Sequence, residues 1–371
     1  MRAKLLFPLC LALVACTEPT GSTSAVEGTA VTMRPGPVPG YSDNRPSTRL
    51  WLPAKDQGVV LRHGGGPANS DVHGARDVWA WEADGTYYMH YDAAGPRGWL
   101  AALAVSKDLV SWEKRGPVLD FGQWGEDDSH SASYGVTYRE GDTWHMFYLG
   151  TPVALPPDYV PGFPYLTLKA TAKSPAGPWT KQRQVVPFRP RPGTYYSDIA
   201  SPGHVVKQGD EYLQFFSSTT TRRGKVLRTL GIARTRDLNG AWTVDPEPIL
   251  PVEEQVENVS LYFEPANGTW FLFTNHVGIE DGWFEYTDAI WVYWTRDLNR
   301  WDARNKAVVL DGRLSTWSRR VIGIPSVVQV GNRLAILYDG LEGTALPKTH
   351  KVHMNRDIGL AWLDLPLHPP T

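Results

Sequence analysis

Along this chain apolar and polar residues alternate in short runs punctuated by Gly, Asn-Gly and Pro. That is the period of half-buried strands, and no sustained helical spacing appears. The runs fall into similar units. Each has a strand ending at Gly or Asn-Gly, an aromatic-rich strand, a third strand running into a short tag, and a short apolar fourth strand. In the first unit these are residues 77–81, 86–91, 100–105 and 117–119. Later units open at residues 133–136, 204–206, 260–262 and 325–328, with second strands at 144–148, 212–216, 270–273 and 334–338. Five antiparallel units of four strands predict an all-β fold, a five-bladed β-propeller.

The tag sets the register of the units. It reads Ser106-Lys107-Asp108-Leu109 with Trp112, Thr235-Arg236-Asp237-Leu238 with Trp242, and Thr295-Arg296-Asp297-Leu298 with Trp301. Ser174 to Trp179 is a degenerate copy, and the tryptophans recur at roughly 60 residues. The hydroxyl and the Asp suit a turn capped by side-chain to backbone hydrogen bonds, and the Trp suits packing between neighbouring blades. The last unit ends at its third strand, residues 358–362, with no residues left for a fourth. Residues 58–62 resemble the fourth strand at 307–311, so an N-terminal strand is expected to complete the last blade and remove its open edge.

A length of 371 residues, with Trp 16, Tyr 16, Gly 35 and Pro 30, agrees with a strand- and turn-rich chain. The formal net charge of −2 gives no basic field and argues against nucleic acid as a partner. Arg2 and Lys4 precede a short apolar run that ends in Leu13-Val14-Ala15-Cys16. That ending resembles the bacterial lipoprotein box. The resemblance implies a signal peptide over residues 1–15, lipidation of Cys16, and a lipid anchor in the bacterial cell envelope. Residues 16–48, rich in Ser, Thr, Gly and Pro at their start, read as a flexible tether, and residues 49–371 as the propeller domain.

In a propeller the first strands line a shared channel, so acids near their starts are the candidate chemistry. Asp77 opens the first blade, Asp198 precedes the third, and Glu257 precedes the fourth. Cleaving a glycosidic bond needs one carboxylic acid to protonate the leaving oxygen and a second carboxylate to activate water or attack the anomeric carbon. Acids clustered in a partly desolvated funnel push their pKa values apart, which suits that division of labour. No zinc-type spacing and no phosphate-cradling glycine loop is present.

These blade starts resemble the five-bladed propeller glycosidases, most closely glycoside hydrolase family 43, with families 32 and 117 as relatives. The resemblance covers about residues 49–371. It implies Asp77 as general base, Glu257 as general acid and Asp198 as the third carboxylate that tunes the acid. Val78 stands where that family usually has Pro, and Asp198 lies a few residues early. Asp127 and Asp128 are an alternative source of the third acid. Asp128, His130, Arg319, Arg320 and His353 are candidate substrate contacts. His353 resembles a channel histidine that sits beside calcium or chloride in some members, although no cofactor is required. The function implied is hydrolysis of a poly- or oligosaccharide, with inversion as in family 43 and retention as in family 32. A non-catalytic carbohydrate-binding propeller or a glycoside phosphorylase are the alternatives. The insertions at residues 155–165 and 278–288 are expected to shape the pocket.

Overall fold

The computed structural model describes residues 45–280, 284–347 and 350–371; the signal segment, Cys16 and residues 16–44 of the tether lie outside them. The described residues form strands, with only three short 3-10 turns as helical elements. The chain enters through β1 (Lys55–Leu61), whose partner comes last. A first antiparallel meander follows, made of β2 (Gly74–Ala83), β3 (Thr86–Gly95), β4 (Gly98–Ser106) and β5 (Trp112–Pro117). The second has β6 (Ser131–Glu140), β7 (Thr143–Thr151), an inserted hairpin of β8 (Ala154–Leu155) and β9 (Val160–Pro161), then β10 (Leu166–Ala172) and β11 (Thr180–Lys181).

In the third meander the first strand is split into β12 (Ile199–Ser201) and β13 (Val205–Gln208), both paired with β14 (Glu211–Arg222). β15 (Lys225–Thr235) and β16 (Thr243–Val244) follow. The fourth comprises β17 (Val256–Glu264), β18 (Thr269–Glu280), β19 (Phe284–Thr295) and β20 (Lys306–Asp311). The fifth comprises β21 (Ile322–Val330), β22 (Arg333–Gly340) and β23 (Asp357–Asp364). Its fourth strand is β1, with Gly58 opposite Leu360 and Leu61 opposite Ile358. The N-terminal strand thus pairs where the sequence places it, and the last meander has no open edge on that side. Ahead of β1 the chain already packs on the fourth meander: Arg45 pairs with Asp288 at 2.7 Å, and Leu52 and Ala54 donate to the carbonyls of Val308 and Val309.

Second strands are apolar on both faces because each lies between neighbouring sheets. Phe147, Phe215, Phe216, Phe271 and Phe273 are fully buried. Each such ring contributes about 1.5–3 kcal/mol of transfer free energy. The tag caps the turn between third and fourth strands, as expected. The Ser106 hydroxyl accepts from the Asp108 and Leu109 amides, and the Asp108 carboxylate from those of Val110 and Ser111. Thr235 with Asp237, and Thr295 with Asp297, repeat the pattern. Each tag Trp packs onto the preceding meander: Trp179 on His90 (5.7 Å), Trp242 on Phe147 (5.4 Å) and Trp301 on Phe215 (6.1 Å). Trp112 packs with the cluster that holds Leu337 of the fifth.

One device recurs in every first strand. Each ladder slips by one residue at the same place, after Arg76, Ser133, Ser201, Glu257 and Gly323. The extra residues are Asp77, Tyr134, Pro202, Asn258 and Ile324. Four of them have positive φ, at 51°, 45°, 62° and 46° for Asp77, Tyr134, Asn258 and Ile324. A non-glycine residue held there costs on the order of 1–3 kcal/mol, and a bulge bends the strand and re-aims a side chain.

Candidate active site

The bulges converge. Arg76, Asp77, Ser133, Tyr134, Ser201, Glu257, Asn258 and Ile324 all line one cavity of about 490 Å3. Its remaining walls come from where second strands end and third strands begin, including Asp92, Trp99, Arg228 and Glu285. Both insertions singled out in the sequence contribute. Leu155, Val160, Phe163 and Tyr165 come from the second meander, and Glu285, Tyr286 and Thr287 from the fourth.

Asp77 and Glu257, 180 positions apart in sequence, therefore face the same space. Asp77 sits at a bulge, its carboxylate 2.6 Å from Arg76 Nε and its backbone N–H donating to Asp339 at 3.2 Å. Burial raises its pKa against the pull of Arg76, and the nearby Asp339 raises it further. Glu257 stands one residue ahead of the fourth bulge and pairs with Arg228, whose other nitrogen pairs with Glu285. Burial also raises the Glu257 pKa; Arg228 opposes this, while Glu285 and Asp77 add to it. The field of Asp77 thus reaches Glu257.

A third acid emerges that the sequence did not point to. Asp92 on β3 lies opposite Arg76 in the ladder, is buried, and accepts the backbone N–H of Tyr134. Burial holds its pKa well above the usual carboxylate range, and Asp77 adds to that through its charge and a shared hydrogen bond. Three carboxyls here, Asp77, Asp92 and Asp339, face two guanidiniums, Arg76 and Arg356, the latter 3.0 Å from Asp339. Asp92 is the one of the three without a guanidinium partner within ion-pair distance.

The other expected residues are placed differently. Asp198 does not line the cavity. It lies four residues ahead of the third bulge, accepts from the Ser197 hydroxyl at 3.1 Å, and pairs its backbone with Thr219 and Tyr165. Asp128 is fully buried away from the cavity, holding Tyr148 (2.9 Å), Lys181 (2.5 Å) and Arg183 (3.1 Å). Asp71 holds Tyr91 and Lys114 in the same way six residues ahead of the first bulge, as Asp128 does ahead of the second. Asp128 is thus half of a repeated latch between a second and a fourth strand. Asp127 pairs with Arg189 at 3.1 Å. His130 packs edge-on to the exposed Trp124 and does not line the cavity; nor do Arg319 and Arg320, which are exposed.

His353 does line it, with Nδ1 accepting from Arg76 Nη1 at 2.8 Å. A guanidinium so close does not suit a calcium ion on that ring, and among the described residues no group of three or more His, Cys, Asp or Glu is arranged for a metal. A chloride would need an unpaired cation, whereas Arg76 is taken by Asp77 and Asp339.

No family model matches the chain, and no curated protein matches it. Among solved structures it is similar to the catalytic domain of a GH62 alpha-L-arabinofuranosidase from Coprinopsis cinerea (13% identity, TM-score 0.60, covering 84% of this chain and 97% of that one). It is similar also to Zg3597, a family 117 glycoside hydrolase from Zobellia galactanivorans (16%, TM-score 0.58, 86% and 92%). A thermostable family-43 glycoside hydrolase matches at 14% identity and TM-score 0.56, over 85% of this chain and 99% of that one. The chain therefore has the all-β fold found in these glycoside hydrolases.

Proposed function

We propose that the chain is a glycoside hydrolase, that its five meanders are the blades of a five-bladed propeller, and that Asp77 and Glu257 are its catalytic pair. The observation that carries this reading is their convergence: two acids from separate strands enter one cavity, each beside an arginine and each with raised proton affinity. In this reading Glu257 donates its proton to the glycosidic oxygen as the bond to the anomeric carbon breaks. A water attacks that carbon from the opposite face and gives its proton to Asp77, so one C–O bond forms for the one broken and the anomeric centre inverts. Asp92, rather than Asp198, is the third carboxyl: it holds a proton toward Asp77 and keeps it ionised. The substrate is a poly- or oligosaccharide, in keeping with glycoside hydrolases among the solved structures of similar fold. The N-terminal pattern supports cleavage after residue 15 and lipidation of Cys16, which puts the enzyme on a lipid anchor in the cell envelope.

The test is purified protein against a panel of glycans and aryl glycosides, with product anomers followed by NMR. Turnover with inversion is expected. Tight glycan binding with no turnover would instead identify a carbohydrate-binding propeller, and turnover only with phosphate a phosphorylase.

A further inference from the structure

At the tip of the β14–β15 hairpin the chain runs Thr221-Arg222-Arg223-Gly224-Lys225, and three cations stand together where the local structure disfavours them. Arg223 and Gly224 both have positive φ, 53° and 75°, in a two-residue turn that asparagine and glycine fill at least cost. Arg222 and Lys225 lie directly opposite each other in the ladder, and like charges so placed destabilise a hairpin. All three are exposed, and none has an ion pair or a side-chain hydrogen bond among the described residues. Asp198 on the preceding loop and Glu253 in the 3-10 turn packed on β15 are acids, yet neither comes within ion-pair distance of them. The hairpin therefore carries a cost that no described contact offsets, and local rules are broken in this way where a function requires it.

The cations adjoin the cavity. Thr220 shares the strand face of Arg222 and Lys225, and its hydroxyl bonds that of Ser197 at 2.8 Å, on the loop that also carries the exposed, unpaired Arg191. On the other face of the hairpin Val226 and Arg228 line the cavity, and Arg228 pairs with Glu257. Lys225 is three residues from Arg228, about 10 Å along the strand. A polysaccharide with its scissile bond at Glu257 and its chain running out over this rim passes these uncompensated positive charges. We propose that the β14–β15 tip and Arg191 form a docking surface for the anionic groups, carboxylate or sulfate, of a polysaccharide substrate. The inference rests on the glycoside hydrolase reading for the scissile bond; the charge preference comes from the hairpin itself. The tight turn holds the cations in place, so no loop has to be ordered on binding. They read charge on the chain outside the cavity and thereby set which polymer is retained.

The experiment measures binding of the full protein to polygalacturonate, κ-carrageenan and neutral galactan, and to phosphatidylglycerol vesicles, at about 0.05 M and 0.5 M salt. The variant combines Arg222→Thr, Arg223→Asn and Lys225→Thr, residues that suit a cross-strand pair and a left-handed turn. At low salt the wild type should bind one of the anionic polymers at least about tenfold tighter than galactan, and high salt should erode the preference. Which polymer binds distinguishes carboxylate from sulfate. The variant should lose about tenfold in affinity for that polymer, as several exposed ion pairs together supply. It should melt no lower than wild type, because it relieves like-charge repulsion. No preference for either anionic polymer, an unchanged preference in the variant, or a lower melting temperature would overturn the proposal. Tighter binding to the vesicles than to either polymer would also overturn it and give the patch to a lipid surface. Variant-sensitive binding of an anionic polymer by a protein that turns over no glycoside would leave this surface standing and refute hydrolysis. Turnover of neutral glycans with no anionic preference would do the reverse.

Discussion

Replacing Asp92 by Asn asks whether a buried carboxyl next to Asp77 carries a proton. The amide keeps both contacts of a protonated acid: its oxygen can accept the Tyr134 N–H, and its nitrogen can donate to Asp77. If Asp92 is neutral, Asp92→Asn is nearly isosteric and should not lower the unfolding free energy at neutral pH, where it also spares the proton uptake that folding the acid requires. If Asp92 is ionised and shares Arg76, the same change breaks a buried charge network and should cost about 3–5 kcal/mol. Urea denaturation at neutral pH separates these values. The pH dependence gives a second readout. A carboxyl whose pKa is raised on folding contributes stability that is full below the unfolded pKa and is lost as pH rises through the folded one. Asp92→Asn should therefore gain on wild type as pH is raised above about 4. A loss of 3 kcal/mol or more, with no such gain, would refute the protonated Asp92.

Three further outcomes follow from the packing. His90 is buried and His204 half-buried, and desolvation lowers each pKa to about 4. Their stabilisation is full above the unfolded value and lost as pH falls, so melting temperature should drop between about pH 6.5 and 4. The slope should approach about 1.4 kcal/mol per pH unit for each histidine, and His204→Gln should flatten it. Asp128→Ala should destabilise by about 3–5 kcal/mol in denaturant titration, since it strands Lys181 in a buried site, yet leave KM unchanged. Thr295→Ala removes the tag hydroxyl that accepts the Asp297 amide, and should cost about 0.5–1.5 kcal/mol with activity intact.

The fold was legible because its signals are local: aromatic second strands, a tag at each third turn, and a spare strand at the N-terminus that matches the fourth-strand pattern. That Asp77 and Glu257 face one cavity was legible for a related reason, since the tag fixes register and both lie near the starts of first strands. Asp92, Asp339, Arg228 and Glu285 were not. They lie on second or third strands, and they enter the site only through cross-strand pairing, as Asp92 does opposite Arg76 and Asp339 opposite Gly323. Asp198 misled because the third first strand is broken by Pro202 and Gly203, which puts the bulge four residues beyond it. Asp128 misled because an acid six residues ahead of a bulge serves a latch, as Asp71 also does.

The central claim is that Glu257 delivers the proton to the leaving group, and kcat for Glu257→Gln on paired substrates tests it most directly. On a glycoside with a poor leaving group turnover should fall by about 10²–10⁴, while an aryl glycoside with a good leaving group should lose far less. Wild-type turnover on the poor leaving group, or equal losses on both substrates, would contradict the account.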